Sequence, residues 1–210
     1  MVLEIFTNLD KILISIIQTY GILVYPFIFL VIFIETGLVI FPFLPGDSLL
    51  FISGTLASKG LINVVLIILI ASLAAIIGDS INYLAGRLIG EKIYKSRLVK
   101  SEYLTKTQKF YEKYGGKTII FARFVPIIRT FAPFIAGIGK MKYSKFLSFN
   151  ILGGILWVAL FVFAGFFFGT IPFVEKNLSL VIILIIIISF IPAIFELVKA
   201  RLNRVKLNRS

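Results

Sequence analysis

The sequence predicts an all-α polytopic membrane protein with about four spanning helices and two oppositely oriented re-entrant helical hairpins. Its 210 residues are 59% hydrophobic and have a mean hydropathy of +1.03, which is more apolar surface than a soluble domain of this length needs. Apolar blocks long enough to cross the roughly 30 Å hydrocarbon layer of a bilayer recur along the chain. They cover residues 12–34, 61–86, 146–171 and 178–198, the first with a kink predicted at Pro26, and residues 1–210 form a single membrane domain.

The basic residues lie mostly between these apolar blocks. The chain carries 22 Lys and Arg against 10 Asp and Glu, a net charge of +12. Nine of the basic residues fall in residues 87–117, among apolar and tyrosine positions, which predicts a basic amphipathic segment on the cytoplasmic membrane surface. This distribution indicates membrane topology, and we expect no nucleic-acid partner.

The same charges predict the orientation, because cytoplasmic loops are enriched in Lys and Arg. Eighteen of the 22 basic residues lie inside if the N-terminus, residues 87–117, residues 140–145 and the basic tail 199–210 face the cytoplasm. Both termini are therefore predicted to be cytoplasmic.

Cysteine and histidine are both absent from the chain. This excludes disulfides, thiolate metal sites and cysteine nucleophiles, and it removes the commonest metal ligand and general base. The sequence also has no glycine loop for phosphates and no zinc-ligand spacing. We therefore expect no enzymatic activity, no metal and no cofactor.

Two segments are too apolar for an aqueous loop and too interrupted for a spanning helix. They are residues 36–58, with Pro42, Pro45 and Gly46, and residues 118–139, with Pro126, Pro133 and Gly137. Proline breaks the helical ladder, and irregular backbone at membrane depth must be buried in protein or line a wet cavity. Both segments are predicted to be re-entrant hairpins that enter from opposite sides and meet tip to tip, which is typical of a transporter binding site. A surface loop between helices is the alternative for the second segment.

A weak internal repeat agrees with two inverted halves. Small residues recur at a constant offset of 79, in the pairs Gly60 and Gly139, Ala85 and Ala164, Gly86 and Gly165, and Gly90 and Gly169.

Four charged residues lie in or beside the interrupted segments. Arg123 and Arg129 sit in apolar sequence, where a charge at the centre of a membrane helix costs about 2.5–3.5 kcal/mol. Both are candidates for holding an anion, because the planar guanidinium suits carboxylate and phosphate partners. Glu35 and Asp47 are candidates for proton exchange. The alternatives are that Asp47 caps a helix and that the arginines form structural ion pairs with these two acids.

Two further groups are given structural interpretations. Asp79, Tyr83 and Arg87 are at helical spacing and predict a local polar ladder, with a role in transport as the alternative. Trp157 is predicted to anchor a helix at the membrane interface.

Three motifs in order resemble the DedA family, also described as SNARE-associated or VTT-domain membrane proteins. They are Glu35-Thr-Gly with Pro42-Phe-Leu-Pro-Gly-Asp47, then Gly78-Asp-Ser-Ile-Asn-Tyr-Leu-Ala-Gly-Arg87, and Arg123-Phe-Val-Pro-Ile-Ile-Arg129-Thr130-Phe-Ala-Pro133-Phe-Ile-Ala-Gly137. Glu35, Asp47, Arg123 and Arg129 match the charged positions the family is thought to need. The resemblance covers about residues 20–170.

The resemblance implies a bacterial inner-membrane protein that moves lipids. The expected function is a translocase for undecaprenyl phosphate or a phospholipid, driven by the proton-motive force. Arg123, Arg129 and Thr130 would bind the anionic phosphate head group, while Glu35 and Asp47 would couple protons to transport. A proton-coupled antiporter of small solutes or drugs and a non-transporting membrane scaffold are the alternatives, and a homo-oligomer is left open.

Overall fold

The computed structural model describes residues 9–37, 46–96, 115–177, 180–181 and 183–185. All regular structure in these residues is helical, which confirms the predicted all-α class. A 3₁₀ turn, Gly21–Leu23, lies between the first two helices. In chain order the helices are α1 (Leu9–Tyr20), α2 (Val24–Gly37), α3 (Gly46–Ser58), α4 (Val64–Ser96), α5 (Lys117–Ala122), α6 (Pro126–Ile138), α7 (Tyr143–Phe168) and α8 (Pro172–Lys176).

Three helical stretches among the described residues are long and apolar enough to cross a membrane. They are Ile12–Gly37, which joins α1 to α2, Val64–Gly90 in α4 and Tyr143–Phe168 in α7. The fourth predicted span, residues 178–198, falls almost entirely outside the described residues, and so does the basic tail 199–210.

The first span is interrupted at Gly21 rather than at Pro26. Gly21 has a φ of +53°, a conformation that favours glycine, and the 3₁₀ turn begins there. Pro26 lies in the first turn of α2, where the missing backbone donor would have no helical partner anyway. The predicted position of the kink, Pro26, is therefore wrong, because the interruption lies about one helical turn earlier in the chain.

Only one arm of the first interrupted segment is described. It is α3, whose residues from Ser48 to Ala57 are all buried, so protein surrounds this short helix on every side. Pro42 and Pro45 lie outside the described residues. The re-entrant path of residues 36–58 stays a prediction.

The second interrupted segment is a helix, a turn and a helix. Helix α5 ends at Ala122, Val125 is extended with φ −122° and ψ 106°, and α6 begins at Pro126. Pro126 explains this break. Proline disfavours a helical conformation in the residue before it, here Val125, and it fits at the first position of a helix. The break lies where the sequence predicts it, while entry and exit on one side of the membrane stay a prediction.

Helix α4 continues past the predicted end of its span. It runs without interruption to Ser96, so the first part of the basic segment 87–117 belongs to this helix. Residues 97–114 lie outside the described part of the chain.

Two units of the same construction make up the centre of the fold. Each is a helix of 13 residues, α3 or α6, followed by a tight turn and a long helix, α4 or α7. The Leu61 and Met141 amides donate to the Leu56 and Ala136 carbonyls at 3.1 Å in both cases. This six-to-one bond and a residue of positive φ, Gly60 at +73° or Lys140 at +54°, define the same helix ending in both units.

The two units exchange partners, since the short helix of each packs on the long helix of the other. Gly86 of α4 faces the backbone of Phe134 in α6, and Gly165 of α7 faces the backbone of Phe51 in α3. A Cβ atom at Gly86 or Gly165 would lie 2.0 or 1.8 Å from the facing carbonyl oxygen. The glycines therefore allow the backbone contact that membrane helices use for association.

These crossings support the predicted repeat and correct one of its pairs. Gly86 and Gly165 occupy equivalent crossings at the offset of 79, whereas Gly60 is equivalent to Lys140 and not to Gly139. In both swapped pairs, residues later in one helix contact residues later in the other. Helices α4 and α6 are therefore parallel, and so are α3 and α7. Inversion of the two units across the membrane stays a prediction.

Candidate functional site

The units meet at a cluster of buried charges. Glu35, Asp79, Arg123 and Arg129 are each at most 3% exposed. The ion pairs found here join Arg129 to Glu35 and Asp47, and Arg123 to Asp79. A buried charge at such positions is tolerated only when it is paired and hydrogen-bonded.

Arg129 links three helices through its guanidinium. It lies in the first turn of α6, its Nη2 donates to Glu35 at the end of α2, and its Nη1 donates to Asp47 Oδ1 at 3.1 Å in the first turn of α3. The predicted approach of Asp47 and Arg129, 82 residues apart, is therefore present in the structure.

Trp157 of α7 completes this group. Its Nε1 donates to Asp47 Oδ1 at 2.9 Å, and its ring centre lies 4.5 Å from the guanidinium carbon of Arg129. Trp157 is fully buried, so the prediction of an interface anchor is wrong. Its indole is instead both a donor to the carboxylate and a cation–π partner of the arginine.

Gly46 makes room for the Glu35 carboxylate. A Cβ atom at Gly46 would lie 1.8 Å from Glu35 Oε2, so any side chain there would displace the carboxylate. The glycine of the Pro-Gly-Asp motif is thus explained by contact with a residue eleven positions earlier in the chain.

Arg123 forms a second group with different partners. Its Nη2 donates to Asp79 Oδ2 on α4 and to Asn150 Oδ1 on α7. Asn150 in turn donates from Nδ2 to the Ile76 carbonyl at 3.0 Å, which fixes its orientation. The Arg123 side chain packs against Gly153 and Gly154, where an added Cβ would lie 3.1 Å from Arg123 Cδ and 3.5 Å from its Nη2, respectively.

The predicted polar ladder on α4 exists only in part. Arg87 Nη1 donates to the Tyr83 hydroxyl at 3.3 Å, and that hydroxyl donates to the Met141 carbonyl. Asp79 does not take part, because its carboxylate faces Arg123. The ladder predicts that Asp79 interacts within its own helix, whereas the structure pairs it with Arg123, 44 residues later in the chain.

The prolines and glycine of the second segment shape the backbone around Arg129. Pro133 lies inside α6 and cannot donate to the carbonyl one turn earlier. Asn82 of α4 donates from Nδ2 to the neighbouring Thr130 carbonyl at 2.6 Å. Gly137 faces the Tyr83 carbonyl, which lies 2.1 Å from where its Cβ would be. Thr130 itself is fully buried beside Arg129.

The structure thus places the predicted charged residues in two adjoining groups. Sequence analysis missed the contributions of Asn82, Asn150 and Trp157. A signal existed for Asn150, because an asparagine inside an apolar span needs a partner. With all groups ionised, three carboxylates face two guanidiniums, so the site carries one net negative charge.

Comparison with known proteins agrees with this architecture. The VTT domain family matches residues 44–167, which contain both units except Phe168, the last residue of α7. Protein DedA of Escherichia coli strain K12 is 50% identical over 202 residues, covering 94% of this chain and 92% of that protein. No solved structure matches the chain.

More distant relatives carry names that state their location. The inner membrane proteins YghB and YqjA of Escherichia coli strain K12 are 34% and 32% identical over 157 and 154 residues. They cover 73% and 71% of this chain, which spans 72% and 70% of their length. With the three apolar spans and the family match, the chain belongs to the DedA family of VTT-domain membrane proteins.

Proposed function

We propose that the protein moves a lipid with an anionic phosphate head group between membrane leaflets, dependent on the proton-motive force. The observation that supports this is the pair of buried guanidiniums held by carboxylates among apolar helices. Phosphate competes with carboxylate for the same guanidinium donors, so a lipid phosphate can replace an internal acid. Undecaprenyl phosphate and the phospholipids both supply such a group.

Glu35 and Asp47, the acids that hold Arg129, also supply the proton-dependent step of the proposed transport. A carboxylate that takes up a proton loses its charge and with it most of its attraction for arginine. Protonation from one side of the membrane would therefore free a guanidinium for phosphate, and proton release on the other side would expel the lipid. Glu35 and Asp47 are the proposed proton carriers, and Arg129 with Arg123 and Thr130 forms the proposed lipid site.

A second candidate is a proton-coupled antiporter of a cationic solute or drug. The excess of one carboxylate over the guanidiniums favours it, because the ionised site carries a net negative charge. An anionic lipid phosphate is the preferred substrate, because an arginine at the centre of the site repels a cation.

Leaflet-resolved movement of fluorescent undecaprenyl phosphate and phospholipids in proteoliposomes, with and without a pH gradient, tests the proposal. Arg129→Ala should abolish movement, because the phosphate would lose its charged donor. Arg129→Lys should slow movement without abolishing it, since the charge stays and the two-pronged geometry is lost. Lys145→Ala, at an exposed basic residue of α7, is the control and should behave like wild type.

The outcomes separate the candidates once each variant is shown to be folded. Wild-type lipid movement in Arg129→Ala would overturn the lipid site. Uptake of a cationic solute driven by the pH gradient, with no lipid movement, would establish the antiporter instead.

Glu35→Gln tests the proton step separately. The amide imitates a permanently protonated acid, so downhill lipid exchange should continue while its response to a pH gradient is lost. The measurement is the ratio of transport rates with and without the gradient, which should fall to one. A ratio equal to that of wild type would remove Glu35 from proton coupling.

A further inference from the structure

Asp47 is the more accessible of the two acids that hold Arg129. Its side chain is 16% exposed, whereas those of Glu35 and Arg129 are 1% and 2% exposed. Asp47 lies in the first turn of α3 and belongs to the opposite unit from Arg129. If one acid gives way to an incoming anion, the accessible one is the candidate.

One oxygen of Asp47 accepts hydrogen bonds from two side chains. Arg129 Nη1 lies 3.1 Å and Trp157 Nε1 lies 2.9 Å from Asp47 Oδ1. Both donors come from the second unit, on α6 and α7, while the acceptor comes from the first. A phosphate oxygen accepts the same two bonds over the same distances.

The two donors are also held in place without Asp47. Glu35 accepts from Nη2 of Arg129 and so fixes the other side of the guanidinium. The ring of Trp157 lies against the guanidinium, with 4.5 Å between the Arg129 carbon and the ring centre. Departure of Asp47 would leave a guanidinium N–H and an indole N–H directed at one position.

We propose that the lipid phosphate replaces the Asp47 carboxylate, so that one phosphate oxygen accepts hydrogen bonds from Arg129 Nη1 and Trp157 Nε1. This rests on the proposed function and adds two roles to it. Trp157 becomes a substrate-binding residue, and Asp47 becomes an internal competitor that occupies the phosphate position when no lipid is bound. The exchange substitutes one anion for another as the partner of Arg129.

Binding can be followed through the protein itself, because Trp157 is the sole tryptophan of the chain. Full-length protein in detergent is titrated with dihexanoyl phosphatidic acid while tryptophan emission is recorded. A saturable change is expected, and dihexanoyl glycerol, which has the same chains and no phosphate, should give none. Inorganic phosphate separates a free anion from a lipid head group: weaker binding is expected, and equal binding would overturn a lipid as the ligand.

Two variants should change affinity in opposite directions when binding of phosphatidic acid is measured by calorimetry. Asp47→Asn removes the competing charge and should tighten binding by about tenfold. Trp157→Phe keeps a ring beside Arg129 and removes the donor, so binding should weaken by about tenfold. Phe163→Leu, on the exposed side of α7, is the control and should bind like wild type.

Weaker binding by Asp47→Asn would overturn the exchange, because Asp47 would then assist the phosphate rather than compete with it. This variant keeps Trp157, so fluorescence tests it even if Trp157→Phe fails to fold. Wild-type affinity in folded Trp157→Phe would remove Trp157 from the site. Binding with the expected pattern but no lipid movement in proteoliposomes would refute translocation and leave the exchange site standing.

Discussion

At the scale of single residues, the buried arginines differ in what holds them. Arg129 has two carboxylate partners, whereas Arg123 has one carboxylate and one amide. Removing one partner of a buried ion pair leaves an uncompensated charge, at a cost of about 3–5 kcal/mol. Replacing both partners by apolar residues of similar size is often neutral. Arg123 should therefore depend on Asp79 more than Arg129 depends on either of its acids.

Asp79→Leu should lower the free energy of unfolding by about 3–5 kcal/mol, because Asn150 would be the one side-chain partner left to Arg123 among the residues that the structure describes. The double variant Asp79→Leu/Arg123→Met should regain most of that loss. The measurement is the midpoint of thermal unfolding in detergent, with Leu84→Ala, at an exposed position, as the control on the same helix. Equal losses in the single and double variants would show that the unpaired charge is not the cause.

The sequence identifies the charged residues of the site better than it identifies their partners. Glu35, Asp47, Arg123 and Arg129 stand out because charge is costly in apolar sequence. The pairing of Arg123 with Asp79 and the burial of Trp157 depend on contacts between elements distant in the chain. Helical spacing favoured a local ladder for Asp79, and an amphipathic indole is typical of interfaces, so both residues were given plausible but incorrect surroundings.

At the scale of the helices, close backbone contact holds the two units together. Lipid tails are as apolar as leucine, so packing rather than exclusion from water must drive helix association in a membrane. The crossings at Gly86 and Gly165 bring a helix backbone within reach of a facing carbonyl. Each crossing therefore requires glycine, because a side chain at Gly86 or Gly165 would overlap the facing carbonyl oxygen.

Gly165→Ala should destabilise the protein although alanine favours helices over glycine by about 1 kcal/mol. The new Cβ would lie 1.8 Å from the Phe51 carbonyl oxygen, which belongs to backbone and cannot turn away. Separating the helices should cost about 1–3 kcal/mol, which exceeds or matches the propensity gain. Thermal unfolding of Gly165→Ala and of Leu160→Ala, a change on the exposed side of α7, gives the comparison. A raised midpoint for Gly165→Ala would contradict the crossing.

Hydropathy and proline predict the helices to different degrees. The apolar blocks locate the three described spans, and Pro126 locates the start of α6. The length of an apolar block reflects the thickness of the hydrocarbon layer that it crosses. Hydropathy therefore does not show that α4 continues beyond its apolar part to Ser96. Pro26 misled because a proline kinks a helix only beyond its first turn, and α2 begins at Val24.

At the scale of the whole molecule, two units of one design exchange their short helices around the charged site. The equivalent turns after α3 and α6 carry Lys59 and Lys142, both exposed. If the units are inverted across the membrane, these turns lie on opposite sides of it. The positive-inside rule assigns the second turn to the cytoplasm.

Single cysteines test this arrangement, because the natural chain has none. Lys59→Cys should react with an impermeant maleimide added to intact cells, whereas Lys142→Cys should react only after the membrane is opened. Ser101→Cys, in the basic segment, should follow Lys142→Cys. Labelling of Lys59→Cys and Lys142→Cys from the same side would rule out the inverted arrangement.

The ion pairs also constrain how the chain is made. Among the described residues, every buried ion pair joins an acid of residues 9–96 to an arginine of residues 115–177. During synthesis the first half is therefore made before any of its three acids has its arginine partner from the second. Until the arginines have been synthesised, these acids lack the partners that they have in the folded protein, and a buried charge without a partner is costly. Pairing of all three acids therefore requires that the chain has been synthesised through Arg129.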